Sequence, residues 1–342
     1  TFKYIIIFMS KLINCIKKKD SSCVPVWFMR QAGRYLPEFR EIRKKNPNFI
    51  KLCLDSDLSS EITLQPIKRF DLDAAIIFSD ILMVPYALGQ NVEFTDNGPE
   101  LSNFNLRSFL KNDKINFTQK LHPIYKAIEK TKKKLNKEKS LVAFVGAPWT
   151  LLVYMMGLKK NKNEINLEKL KGKDFEVNII LDKLNEYLSI HIENQINAGA
   201  DVIQIFDSWA GLLPKKKLPD YCFIPNLKIV DFCKKNNIAN ICFPRGIKES
   251  YLEFLQIVKP DCLSLDYEIN PEWANKNLSN VCLQGGMSPH FLFKKEEEIN
   301  KEVDRYLNIF KDKPYIFNLG HGLTPETDPD VLKKVIERVR LY

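Results

Sequence analysis

Eight short runs of apolar and β-branched residues recur along the 342-residue chain, most of them separated by segments long enough for an amphipathic helix. They are "VPVWFM" (24–29), "AAIIFS" (74–79), "LVAFVGA" (141–147), "DVIQIF" (201–206), "NICFP" (240–244), "CLSLDY" (262–267), "VCLQGG" (281–286) and "YIFNLG" (315–320). Their hydrophobicity is continuous rather than alternating, as a parallel strand buried on both faces requires. Helical spacing follows at 59–70, 124–138, 180–199, 248–259 and 296–311. Strand then helix, eight times over, predicts an α/β chain folded as a single-domain (β/α)8 TIM barrel. An open doubly wound sheet is the competitor, but no GxGxxG follows a strand run, which weakens a dinucleotide fold. Polar or Pro/Gly-punctuated excursions at 90–118, 156–177 and 209–226 read as long βα loops of one domain.

Charge narrows the partners. With 52 Lys and Arg against 42 Asp and Glu, the net charge of +10 favours anionic ligands. Much of the excess is lysine in runs at 17–19, 132–134 and 215–217, which read as solvated faces. No basic repeat is interleaved with aromatics, so nucleic acid is not an expected partner. The eight cysteines lack CxxC or HxC spacing, and Cys242, Cys262 and Cys282 lie within strand runs. Free buried thiols and a reducing compartment are expected, with no metal site. The apolar stretch at 4–9 is too short to span a bilayer, so no membrane association is expected. Residues 1–9 read as a leader remnant or a disordered extension; Ser10 then caps a helical pattern, and the barrel domain is expected to run over 10–342. The compartment stays open between plastid and cytoplasm.

A barrel gathers its active groups just beyond the C-terminal ends of its strands. Arg30 and Arg34 follow the first run and Asp80 the second; "GAPWT" with Tyr154 follows the third, and "DSWAG" with Ser208 the fourth. "PRG" follows the fifth, "GGMSP" the seventh and "GHG", with His321, the eighth. Gly33, Gly146, Gly211, Gly285, Gly320 and Gly322 in these loops permit turns or close approach. Arginines stay charged at working pH, and their planar fork fits carboxylate or phosphate. Ion pairing is the competing reading of Arg30 and Arg34, but two arginines so close after a buried run put the functional reading ahead. Taken singly, Asp80 reads equally as a helix cap and His321 as a core histidine, while Tyr154 and Ser208 read first as ordinary core or cap residues. Their joint placement at strand ends points to a site for an anion.

Several of these segments resemble the uroporphyrinogen decarboxylase family. "PVWFMRQAGRYLPEFR" matches its N-terminal signature and "AFVGAPWTLLVYMMG" is similar to its second. "DLDAAIIFSDILMVPYALG", "GADVIQIFDSWAG" and "YIFNLGHGLTPETDP" resemble further characteristic segments in the same order, so the likeness runs from about Ser10 to the C-terminus. The resemblance implies a homodimeric barrel without metal or organic cofactor, which removes the four acetate carboxyls of uroporphyrinogen III to give coproporphyrinogen III in haem biosynthesis. Carried over by motif, substrate contacts fall on Arg30, Gln31, Ala32, Gly33, Arg34, Arg43, Asp80, Tyr154, Ser208 and His321. Asp80, Arg30 and Arg34 carry the chemistry in that reading. Asp80 accepts the pyrrole N–H groups and stabilises the cationic ring, while the arginines grip carboxylates. The proton comes from Arg30, from water or from a substrate carboxyl.

Two departures stand out. The family's QGN followed by aspartate and proline is here "QGGMSP", with Gly286 and Ser288 in place of Asn and Asp. The acidic residue that the family carries soon after the Tyr154 motif is absent, "YMMG" running into "LKKN". Other functions stay distinguishable. A zinc methyltransferase on this barrel needs clustered His and Cys. A tetrapyrrole carrier tolerates loss of Asp80. A sugar-phosphate enzyme leaves the first-strand arginines unexplained.

Overall fold

The computed structural model describes residues 9–95, 98–161 and 163–342. All but the last residue of the expected leader or extension at 1–9 lie outside this set. Seven parallel strands form one sheet in sequence order: β1 (Ala74–Ile76), β2 (Ser140–Gly146), β3 (Val202–Asp207), β4 (Ala239–Pro244), β5 (Cys262–Leu265), β6 (Cys282–Gly285) and β7 (Tyr315–Ile316). Each coincides with an apolar run expected to be a strand.

The first run, 24–29, differs from expectation. It is extended but pairs through a single parallel bridge, Val26 to Phe317. Pro25 has no N–H to donate, and side chains take two of the donors that a ladder would use. Phe28 N–H donates to Gln31 Oε1 (3.0 Å) and Met29 N–H to Asn318 Oδ1 (3.2 Å). The segment still fills the gap in the ring. It exchanges bonds with the β7 side through Trp27 N–H to Phe317 O (3.3 Å) and Phe317 N–H to Pro25 O (2.8 Å). On the β1 side, Asp73 N–H donates to Val26 O (2.9 Å) and Val26 N–H to Asp73 Oδ2 (2.7 Å).

The barrel interior is apolar at its base. Trp27, Ile76, Val142, Val202, Ala239, Ile241, Cys262, Cys282 and Ile316 pack together beneath helix α1 (Lys11–Lys17), whose Leu12, Cys15 and Ile16 close the end where strands begin. Ser10 caps α1 as expected, its Oγ accepting from Ile13 N–H. A polar layer crosses the interior: Trp27 Nε1–H donates to Gln284 Oε1 (3.0 Å), and Gln284 Nε2 donates to Gln204 Oε1 and Ser264 Oγ (both 3.2 Å). Such fully connected polar pairs lock strand register without leaving buried groups unpaired. Nearer the C-terminal ends of the strands, Phe144, Phe206 and Phe243 meet edge to face, with centroids 5.6 and 6.4 Å apart.

The outer layer holds the expected helices, among them Ser56–Arg69, Asp174–Asn197, Tyr251–Val258 and Glu296–Phe310. The helix expected over 124–138 is Lys114–Lys134, absorbing the end of the first excursion. The excursions are more ordered than loops: one carries the hairpin Val92–Thr95 with Gly98–Leu101, the next pairs Lys159–Asn161 with Glu164–Ile165, and the third is a chain of short helical turns. All eight cysteines are free thiols and seven are buried. Among the described residues, no helix is long and apolar enough to cross a membrane.

Candidate active site

The segment that fails to become a strand presents the first cations. Arg30 has φ of 63°, a left-handed conformation that costs a non-glycine residue energy. Two glycines make it feasible. A Cβ on Gly33 would stand 2.8 Å from the Arg30 carbonyl oxygen, and one on Gly322 would stand 2.5 Å from Arg30 Cδ. Strain held in place by neighbours on two loops is a mark of a functional position. Gln31, by contrast, is fully buried: Nε2 donates to Ala74 O (3.0 Å) while Oε1 holds Phe28 N–H. Its side chain anchors the turn from within the core. Ala32 and Gly33 are half-buried backbone of that turn, and Arg34 projects into solvent beyond it.

Asp80 stands at the top of the β1 segment, half-buried, and accepts one protein hydrogen bond, from Leu82 N–H (2.8 Å). That bond is the turn cap of the bland reading, preceding the short helix Met83–Ala87. It leaves the second oxygen free to face the mouth. The Asp80 carboxylate and the Arg30 guanidinium lie within electrostatic reach of one another, as do Arg30 and Arg34, yet among the described residues none of the three enters an ion pair. Burial raises the Asp80 pKa to about 6, against the lowering effects of Leu82 N–H and Arg30. About nine-tenths of it is ionised at neutral pH. Burial lowers the pKa of Arg30 and Asp80 opposes that.

Tyr154 comes from the helix Pro148–Met155 after β2 and lies edge-on to Trp209, centroids 5.7 Å apart. Its phenol senses both Asp80 and Arg30, and burial raises its pKa. The adjoining turn is pinned from below. The buried Asp207 carboxylate accepts from Thr150 Oγ1 (2.7 Å) and Asn226 Nδ2 (3.0 Å), Thr150 Oγ1 accepts from Trp209 N–H, and Trp149 Nε1–H donates to Trp209 O (3.2 Å). Ser208, between these two anchored residues, is half-buried. His321 approaches from the loop after β7. Burial lowers its pKa to about 4, and the charges of Arg30 and Arg245 add to that, so it is a neutral imidazole at pH 7.

Arg30, Arg34, Asp80, Tyr154 and His321 are thus brought together. Arg43 stands farther out, on the helix Pro37–Lys45, its guanidinium over the Phe49 ring (5.6 Å) and bonded to Asn46 O (2.6 Å). It shares with Asp80 only an influence on Cys53. Arg245, one residue past β4, also reaches Arg30 and His321 electrostatically. Its motif is "PRG", and only its position after a strand end distinguishes it in the sequence.

Fold and site define a class: a parallel α/β barrel whose C-terminal mouth holds a cluster of guanidiniums that make no ion pair among the described residues, with one half-buried carboxylate, above aromatic side chains, an arrangement able to receive a polyanionic small molecule. The family model described as "Uroporphyrinogen decarboxylase (URO-D)" matches residues 8–342, and the chain belongs to that family. Proteins named uroporphyrinogen decarboxylase from Rickettsia felis and Orientia tsutsugamushi are 40% and 39% identical to it; the alignments cover 98% of this chain and 97% and 99% of theirs. One from Cereibacter sphaeroides is 37% identical over 96% of this chain and 98% of its own. Among solved structures, a methyltransferase from Methanosarcina mazei superposes with a TM-score of 0.79 at 17% identity, covering 96% of this chain and 97% of that one. At that identity the likeness concerns the fold alone.

Proposed function

We propose that the protein decarboxylates the four acetate side chains of uroporphyrinogen III to give coproporphyrinogen III in haem biosynthesis, with no metal or organic cofactor. Full-length family membership supports the reaction. The observation that carries the residue roles is the placing of Asp80 within electrostatic reach of Arg30, in a cluster with Arg34 whose guanidiniums make no ion pair among the described residues. A substrate with eight carboxylates supplies the missing anions. Its central pyrrole N–H groups supply donors for the free oxygen of Asp80. Phe144, Phe206 and Phe243 offer apolar surface beneath the macrocycle.

In each cycle a proton adds to the pyrrole α-carbon next to the carbon that bears the acetate, making the ring a cation conjugated with that carbon. The C–COO⁻ bond then breaks, its electron pair flows into the ring, and CO2 departs. Reprotonation of the exocyclic carbon and loss of the ring proton leave a methyl group, with one proton consumed overall. Asp80, ionised, stabilises the cationic ring of the transition state. Arg30 and Arg34 hold carboxylates in charge-assisted, bidentate contacts. Tyr154, Ser208 and neutral His321 complete the wall, with Gln31, Ala32 and Gly33 shaping the turn and Arg43 flanking it.

Residues 10–342 act as one catalytic domain in this reading, and the functional unit is a homodimer, as the family resemblance implies. Eight free thiols support a reducing compartment, cytosol or plastid. Anaerobic incubation with uroporphyrinogen, followed by separation of the oxidised products, tests the reaction. The expected result is a succession of seven-, six-, five- and four-carboxyl porphyrins. Recovery of the octacarboxylate alone overturns it.

A further inference from the structure

A macrocycle with carboxylates around its whole rim needs cations on more than one side. The arginine signature supplies them from a single point of the ring, the segment between β7 and β1. Counting around the barrel from that segment, β4 is the fifth of eight members and stands opposite it. Arg245 follows the last residue of β4.

Its backbone is held from both sides. Arg245 N–H donates to Asp207 O (3.2 Å) and its carbonyl accepts from Gly211 N–H (2.9 Å), both on the β3 side. On the β5 side, Gly246 N–H donates to Asp266 Oδ2 (2.7 Å), a carboxylate fixed in turn by Tyr251 OH (2.8 Å). The contact between the two loops is close: a Cβ on Gly211 would stand 2.5 Å from the Gly246 carbonyl carbon. The side chain on this rigid platform is half-buried, and among the described residues its guanidinium makes no ion pair or hydrogen bond. Its charge bears on Arg30 and on His321, which locates it over the mouth rather than on the outer surface. Like charges brought together without a counter-ion destabilise a folded chain unless a ligand supplies the anion.

We propose that Arg245 is a substrate-binding residue that grips a carboxylate of the tetrapyrrole on the side opposite Arg30 and Arg34, so that the macrocycle is held between cations from the two halves of the barrel. The proposal rests on the reading of the site as a uroporphyrinogen cleft. Because the guanidinium has no partner among the described residues, its removal should affect binding and leave the fold intact.

The test compares wild type, Arg245→Gln and Arg245→Lys in the anaerobic assay, with thermal unfolding of each. Loss of a charge-assisted contact predicts KM for uroporphyrinogen raised about 10- to 100-fold in the glutamine variant. The lysine variant should recover part of this, since it restores charge without the fork. Tm should match wild type in the lysine variant and equal or exceed it in the glutamine variant, which relieves the repulsion. KM within twofold of wild type in Arg245→Gln overturns the proposal, and so does a lowered kcat at unchanged KM. In parallel, binding of the octacarboxylate uroporphyrin is followed by tryptophan quenching. If wild type binds this ligand yet leaves uroporphyrinogen undecarboxylated in the anaerobic assay, the decarboxylase reading fails while the Arg245 contact is still read from the glutamine variant's weakened binding.

Discussion

The Gly322 α-carbon lies directly against the aliphatic stem of Arg30, so that a methyl group there would stand 2.5 Å from Cδ, 2.7 Å from Cγ and 3.0 Å from Nε. The histidine loop after β7 therefore determines where the first guanidinium sits. Alanine at 322 has two outcomes available, a distorted loop or a displaced arginine. Part of the Arg30 side chain reaches solvent although its charged end is desolvated, and this long side chain yields first. Gly322→Ala should therefore cost less than about 1 kcal/mol of stability, below the usual penalty for overpacking a closed core. It should lower kcat/KM at least ~10-fold, since an ångström of misplacement is costly in catalysis. Urea unfolding alongside steady-state kinetics separates the two effects. Unaltered kinetics would show that the position of Arg30 is not needed.

Asp80 gives the protein a defined pH response. Catalysis by the ionised form predicts that kcat/KM falls tenfold per pH unit below an apparent pKa near 6, the value to which burial raises this carboxyl. Asp80→Asn should lower kcat at least ~100-fold, the scale of losing a preorganised charge. Stability moves the other way. The folded carboxyl binds its proton more tightly than the unfolded one, so the native state loses stability as pH rises from the unfolded pKa to about 6. Asn at this position removes that penalty. The variant should be more stable than wild type at pH 7 by about 1–3 kcal/mol, with the lower end favoured by solvent access to the site. Below about pH 4 the two proteins should unfold alike. A variant less stable than wild type at pH 7 would mean that Asp80 is a structural partner.

His321 supplies the control on that assignment. Its pKa is lowered to about 4, so it carries no titration between pH 5 and 8. His321→Asn should reduce kcat/KM about 3- to 10-fold, the worth of a neutral hydrogen bond, and leave the acid limb near pH 6 in place. A limb that vanishes in this variant would assign the titration to the imidazole instead of Asp80.

Much of the architecture was legible because a buried parallel strand must be apolar throughout, and this property survives without knowledge of neighbours. That suffices to locate all seven paired strands. It fails at 24–29, where Pro25 and the side chains of Gln31 and Asn318 decide how backbone donors are satisfied, and the Asn318 partner lies far away in sequence. Arg30, Asp80, Tyr154 and His321 were marked by their place at strand ends. The Gln31 side chain lies within the same motif but faces the core, and no local pattern distinguishes a motif side chain that faces the mouth from one that braces the turn. Arg245 also follows a strand end, in "PRG", but belongs to none of the segments that carry the family resemblance. Its importance depends on the order of strands around the ring and on the absence of a counter-ion among the described residues, neither of which is a property of neighbours in the chain.

The departure at "QGGMSP" has a packing cause and a final prediction. Gly286 has φ of 101°, and a Cβ there would meet the Tyr306 ring at 2.9 Å. Tyr306 is buried, carried by the helix Glu296–Phe310, and stands within 6.3 Å of Phe310, so the ring has little room to yield. Ser288, the second departure, caps the following turn by accepting from His290 N–H (3.3 Å). The loop thus relies on glycine at 286, where the family resemblance leads one to expect asparagine. Gly286→Asn should destabilise by about 2–4 kcal/mol, combining a left-handed backbone with overpacking. Adding Tyr306→Ala to it should recover the steric part and leave the backbone part, so the double variant loses less than the sum of the single losses. Chemical denaturation of the four proteins reads the coupling directly. Strict additivity would show that the Tyr306 ring is not what excludes a side chain at 286.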